Sequence, residues 1–153
     1  NNLAIKILDQ LRSFFWILTR KTIINTSPER IYEAWLDSDE HSDMTGGDAL
    51  ITDDVDDKFS AWDGYIWGTT LELRENEYIK QTWRTQDFED DQDYSPVEIF
   101  FEAVDEGTKI TIKHTDLSDA DEKYKQGWID SYFTPMKEYF EGWSVRTSLF
   151  RFR

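Results

Sequence analysis

The sequence predicts an α+β domain in which a long C-terminal helix lies across an antiparallel β-sheet. Two observations carry that expectation. Between Lys125 and Trp143, apolar and aromatic side chains recur at Trp128, Ile129, Tyr132, Phe133, Met136, Tyr139, Phe140 and Trp143. Gaps of three and four residues place them in one broad stripe on a helix, and a stripe that wide has to be buried. Before it, from about Asp48 to Thr115, come strand-like segments punctuated by turn residues, which supply a sheet for the helix to lie across.

The elements follow in order. Arg20–Asn25 reads as a first strand. Ser27 can cap a helix that has Pro28 in its first turn and Ile31, Trp35 and Leu36 on its buried side. His41–Thr45 reads as a second short helix, stopped by Gly46-Gly47. Ala49–Thr52 is a short strand. Lys58–Trp62 and Tyr65–Leu73 flank Asp63-Gly64, a two-residue hairpin signal. Arg74–Glu77 is a polar turn, Tyr78–Thr85 a strand and Gln86–Ser95 an acidic loop. Val97–Val104 and Lys109–Thr115 pair around Asp105-Glu106-Gly107, and Ser118 caps the long helix. Pro135, inside that helix, removes one backbone hydrogen bond and bends the axis.

Length and composition bound the function. A chain of 153 residues makes one domain with a real core. Seven tryptophans and 16% aromatic residues must share that core, and large flat side chains leave irregular gaps. The absence of Cys excludes disulfides, thiolate metal sites and Cys nucleophiles, and is compatible with a reducing, cytoplasmic setting. A net charge of −15 repels phosphate backbones and anionic membranes, so nucleic acid is not an expected partner. No stretch is apolar enough for a transmembrane segment. Ala4, Ile7, Leu8, Leu11, Phe14, Phe15 and Leu18 fall on one helical face, which reads as an amphipathic helix or a plain extension. Asp9 and Arg12 interrupt the apolar run and argue against a signal peptide.

Strand alternation names the side chains that face the helix. They are Ile110, Ile112 and His114 in the last strand; Val97, Ile99, Phe101 and Ala103 before it; and Ile79, Gln81 and Trp83 before that. In the segment after the hairpin they are Tyr65, Trp67, Thr69, Leu71 and Leu73. This face is apolar with sparse polar atoms, as small-molecule sites are. A filled core whose polar groups satisfy one another fits equally well. The candidate cavity residues are Trp35, Phe59, Trp67, Gln81, Trp83, Ile99, Phe101, Ile112, His114, Trp128, Tyr132 and Met136.

No catalytic or metal residues are expected. His114 is the only candidate for a general base, and nothing positions a Ser beside it. The acid runs Asp53–Asp57 and Asp87–Asp93 lack the alternating ligands and central Gly of a calcium loop and read as solvated. No phosphate-binding Gly-rich motif is present, and no cofactor is expected.

Several short motifs in order resemble one family. They are Phe59-Ser60-Ala61-Trp62-Asp63-Gly64, Leu71-Glu72-Leu73, Gln81-Thr82-Trp83-Arg84, Gly107-Thr108-Lys109-Ile110-Thr111, and Lys125-Gln126-Gly127-Trp128 with Tyr132-Phe133. The helix start Ser27-Pro28-Glu29-Arg30-Ile31-Tyr32 matches as well. The family is the C-terminal-type domain of the activator of the ninety-kilodalton heat-shock chaperone's ATPase, in the START-like (helix-grip) superfamily. The resemblance places the domain at residues 20–143, with 1–19 an N-terminal extension and 144–153 a C-terminal tail. It implies a curved sheet gripping a long helix around an apolar cavity. Three functions stay open: binding a small apolar or aromatic ligand, binding the ATP-driven chaperone and raising its turnover, and a cyclase- or hydrolase-like activity using His114.

Overall fold

The computed structural model describes residues 2–5 and 16–151, with no side-chain detail at Trp16 or from Trp143 onward. Six antiparallel strands form one sheet in the order β1-β6-β5-β4-β3-β2. They are β1 (Trp16–Ile24), β2 (Lys58–Ala61), β3 (Ile66–Arg74), β4 (Tyr78–Thr85), β5 (Ser95–Val104) and β6 (Gly107–Leu117). Two short helices, α1 (Pro28–Trp35) and α2 (Ser38–Thr45), follow β1, and the long C-terminal helix closes the interior. This is the helix-grip architecture expected from the sequence.

Local chemistry sets most boundaries. The Ser27 hydroxyl accepts from the Arg30 N–H at 3.2 Å, and Pro28 begins α1. The Asp37 carboxylate accepts from the Glu40 N–H at 2.9 Å and starts α2 three residues before the expected His41. Gly46 ends α2 at φ +93°, a conformation that glycine adopts without steric cost. The β2–β3 turn runs Trp62–Tyr65, with Asp63 and Gly64 at φ +59° and +85° and the Tyr65 N–H donating to the Trp62 carbonyl at 3.0 Å. That is the primed turn the Asp-Gly pair calls for. Ala49–Thr52 makes only an isolated bridge, Leu50 to Ser60, not a strand.

Three expectations are corrected. First, β1 begins at Trp16, so the N-terminal amphipathic helix does not reach Leu18. Leu18 pairs with His114 in β6 and is buried, and ladder pairing outweighs helical periodicity there. Residues 2–5 are helical; Ile7, Leu8, Leu11, Phe14 and Phe15 lie outside the described residues.

Second, the phase of β3 is reversed in its first half. Ile66 pairs with Thr85 and Thr70 with Gln81, so Ile66 and Thr70 face the helix while Trp67 pairs with Arg84 on the outer face. The Arg84 guanidinium lies over the Trp67 ring at 5.7 Å. The ladder slips between Thr70 and Glu72, which makes Leu71 the extra, exposed residue and restores Leu73 to the inner face opposite Ile79. With Ile66 and Trp67 both apolar, alternation had no phase to read. In β5, Ala103, expected inward, is exposed in an open depression that it shares with the start of α1.

Third, the long helix is not continuous. Ser118 opens a 3₁₀ turn, where the buried Asp121 carboxylate accepts from the Ser118 N–H and from Gln92 Nε2. Then come α3 (Tyr124–Trp128), a π-helical turn (Ile129–Phe133) and α4 (Thr134–Arg151). The Thr134 N–H donates to the Ile129 carbonyl, five residues back. Pro135 therefore sits in the first turn of α4, where a missing N–H costs little. In place of a bend caused by a hydrogen bond lost at Pro135, the helix has one wide turn just before it.

The core lies between the sheet's inner face and the helices. Ile79, Val97, Ile99, Ile110, Ile112 and Met136 are fully buried. Arg20 Nε donates to the Lys125 carbonyl at 3.2 Å, tying β1 to α3. The acidic loop between β4 and β5 is pinned by Arg84, whose Nη atoms donate to the carbonyls of Gln92 and Glu89.

Candidate functional site

The helix, through its wide turn, presents Tyr124, Trp128, Ser131 and Tyr132 to one side of a cavity of about 230 Å³. Spacings of three and four residues put these on one face. Trp83 from β4 and Ile66 from β3 form the floor, and Trp62 and Tyr65 from the hairpin turn form the opposite wall. Gly127 lines the cavity too, and a Cβ there would meet nothing within 4 Å. The wall is mostly apolar and aromatic with few polar atoms, the composition of small-molecule sites.

Behind the wall several polar atoms pair with each other, while Trp35 Nε1 and His114 Nε2 are buried without a partner. Trp128 Nε1–H donates to His114 Nδ1 at 3.1 Å, so the neutral ring carries its proton on Nε2, which has no partner. Burial without a counter-charge pushes His114 down to about 3. His41 Nδ1–H donates to the Trp35 carbonyl at 2.8 Å, and Nε2 accepts from the Tyr132 hydroxyl at 3.1 Å. Burial lowers His41 to about 4, only partly offset by its bond to the Trp35 carbonyl, and the same burial raises Tyr132. Both imidazoles are neutral at pH 7. His114 is sealed from solvent and occupied at Nδ1, which leaves it no open basic nitrogen for substrate.

The twelve predicted cavity residues divide into groups. Trp83, Trp128 and Tyr132 line the cavity. Trp35 stacks on Tyr132 with ring centroids 5.0 Å apart, one layer behind. Gln81 is buried with Nε2 donating to Thr70 Oγ1 at 3.3 Å. Phe59, Ile99, Phe101, Ile112 and Met136 belong to the packed core, and His114 lies behind Trp128. Trp67 is on the opposite face of the sheet.

Trp62, Ile66, Tyr124, Gly127 and Ser131 were missed. Tyr124 stands four residues before Trp128 and eight before Tyr132, a helical spacing open to reading had the stripe been started one residue earlier. Trp62, expected at the end of a strand, lies instead in the turn after β2, where strand alternation says nothing about direction. Tyr65, expected inside β3, instead joins the cavity wall from the turn. Its hydroxyl donates to Asp87 Oδ2 at 2.6 Å beside Lys123 Nζ at 2.7 Å. The Lys123 bond first, and Tyr65 next, hold the Asp87 carboxyl below its usual range.

A larger depression, about 740 Å³, lies elsewhere. It is an open groove walled by Glu33, Asp37, Asp39, Asp53 and Glu75. Among the described residues no group of His, Asp and Glu is placed to hold a metal ion. No helix among them is long and apolar enough to cross a membrane.

The architecture is shared with solved structures. An HSP90 activator from Plasmodium falciparum is 24% identical, with a TM-score of 0.70 over 84% of this chain and 96% of that one. The Aha1 dimer from Colwellia psychrerythraea is 15% identical, with a TM-score of 0.64 over 82% and 96%. A Mesorhizobium loti protein is 16% identical, with a TM-score of 0.68 over 80% and 94%. These likenesses establish the fold. No curated protein sequence matches the chain significantly. Residues 25–141 match the family described as Activator of Hsp90 ATPase homolog 1-like protein, and the chain belongs to that family.

Proposed function

We propose that this START-like domain binds a small hydrophobic ligand in the cavity between the hairpin turn and the long helix, without catalysis, in a cytoplasmic setting. The observation that carries the reading is the aromatic slot of about 230 Å³ between the hairpin turn and the long helix. The sealed, neutral His41 and His114 support a binding role over an acid–base one. Titration with toluene, followed by backbone amide NMR, tests it. Shifts are expected at Tyr65, Gly127, Trp128 and Ser131, and Gly127→Leu should abolish them by filling open space. Saturating toluene without shifts at those positions would end the reading.

A second reading is a co-chaperone module that docks on the ninety-kilodalton heat-shock chaperone and raises its ATPase rate. The family match supports it, as does the acid-walled groove, which would favour a basic partner face. The purified chain would then accelerate ATP turnover by the chaperone. Unchanged turnover together with no binding at low salt would sink it.

A further inference from the structure

The two walls of the slot are unequal. On the helix side every ring is engaged: Trp83 lies 5.0 Å from Tyr124 and 5.8 Å from Trp128, and Trp128 lies 4.9 Å from Tyr132, centroid to centroid. On the hairpin side, Trp62 and Tyr65 line the same cavity, yet among the described residues no ring contact reaches either. Trp62 also holds a costly conformation. Its φ of +51° is a left-handed value that bulky residues rarely take, and its indole N–H is buried with no acceptor. Its six-membered ring rests on Gly47, where a Cβ would come within 2.5 Å of Trp62 Cε3. Only glycine leaves room to seat the indole there.

We infer that the slot takes a planar aromatic molecule of one or two fused rings, uncharged, which completes the ring cluster between Trp62 and Tyr65 on one wall and Trp83 and Trp128 on the other. This rests on the cavity reading above and narrows its ligand. Size sets the upper bound. A cavity of about 150 Å³ suffices for benzene, and drug-sized ligands occupy roughly 300–1,000 Å³. At about 230 Å³ the slot admits a bicycle, and because it is open on one side a sterol or a diacyl lipid would leave most of its surface outside. Geometry sets the shape, because aromatic pairs gain from offset or edge contacts at centroid separations of about 4.5–7 Å, which a saturated ring of equal size does not supply. Charge favours a neutral molecule. The residues lining the slot carry no charge, and Asp87 near Tyr65 is already paired with Lys123, so a charged ligand of either sign would meet no free counter-charge there.

Two probes with one carbon skeleton test this: 2-naphthol and decahydro-2-naphthol. The full chain is labelled with 5-fluorotryptophan, its resonances are assigned by single Trp→Phe substitutions, and each probe is titrated by fluorine NMR. The expected result is that 2-naphthol moves the resonances of Trp62, Trp83 and Trp128, leaves Trp67 unmoved, and binds about tenfold more tightly than its saturated counterpart. Tyr65→Leu should narrow that ratio to about threefold. Trp62→Leu should do the same, with the unmoved resonances of the other tryptophans reporting an intact fold. Equal affinity of the two probes would overturn the aromatic assignment and leave the cavity reading standing. No movement with either probe would overturn both.

Discussion

The two sides of the aromatic interior use the same residue types and reach opposite ends. Toward α1 and α2, Trp35 stacks on Tyr132, His41 bridges the Trp35 carbonyl and the Tyr132 hydroxyl, and Trp128 donates to His114. Each ring there has a neighbour on its face or edge. Toward the β2–β3 turn, among the described residues no ring pair joins Trp62 or Tyr65 to the rings opposite, and a gap remains. Aromatic composition therefore does not make a pocket by itself. What decides is whether polar atoms of neighbouring elements can lock the rings together, and on the hairpin side the Tyr65 hydroxyl reaches that of Tyr124 while the Trp62 indole N–H finds no acceptor. Tyr65 donates its hydroxyl proton to Asp87, outside the slot.

The largest effect should come from breaking the locked side. Trp128 is buried, packs against Trp83 and Tyr132, and is the hydrogen-bond donor to His114 Nδ1. Trp128→Ala should cost about 3–5 kcal/mol, combining lost burial, a cavity and an unsatisfied imidazole nitrogen. Urea denaturation measures it. A loss under about 1 kcal/mol would mean that the locked side is no better packed than the slot.

Acid should attack the same side. His41 and His114 have folded pKa values of about 4 and about 3, below the ordinary 6.5. Both are neutral in the fold, while the unfolded chain takes up protons below about pH 6.5. Their contribution is thus complete above that pH and is lost as pH falls toward 4 and then 3. With both titrating in the unfolded state, stability should fall by about 2–3 kcal/mol per pH unit between roughly pH 6 and 4.5. His41→Gln should remove about half of that slope relative to the parent chain, which isolates the histidine contribution from that of the many carboxylates. An unchanged slope would place His41 in contact with solvent.

How much of this was legible in the sequence differs between the two sides. The locked side was read well because period-two strands and a helical stripe each point a residue in a definable direction. Ile99, Ile112, His114, Trp128, Tyr132 and Met136 all lie inside as alternation and helical spacing required. The open side was read poorly. Trp62 belongs to a turn, and a turn has no period. Trp67 was assigned inward from a stretch in which Ile66 and Trp67 are both apolar, and only the pairing of Ile66 with Thr85 fixes the phase. The bulge at Leu71 then resets it, and no composition marks a bulge in Thr70-Leu71-Glu72. The π turn was half legible: Pro135 announced an interruption, but not that it would be absorbed by widening the turn before it.

A subtler break leaves the shape alone. Tyr132→Phe removes the hydroxyl that His41 Nε2 accepts from and keeps the ring that stacks on Trp35. The buried nitrogen then has no donor, which should cost about 1–3 kcal/mol. Because the ring persists, binding of a probe in the slot should be unchanged. Denaturation and a toluene titration on the same variant separate the two effects. A variant that loses binding and stability together would show that the two sides are coupled through Tyr132.

The smallest expected effect has the opposite sign. Gly127 lies in α3, faces the slot, and has no atom within 4 Å of where a Cβ would stand. Glycine in a helix costs about 0.8–1.0 kcal/mol relative to alanine. Gly127→Ala should therefore stabilise the domain by roughly 0.5–1 kcal/mol while taking a methyl's volume from the slot. The locked side permits no such gain, since adding atoms to a packed core costs stability. The urea midpoint should rise with an unchanged slope, and toluene affinity should fall modestly. A drop in stability would show that the slot closes around Gly127 in solution, which would make the open side as full as its counterpart.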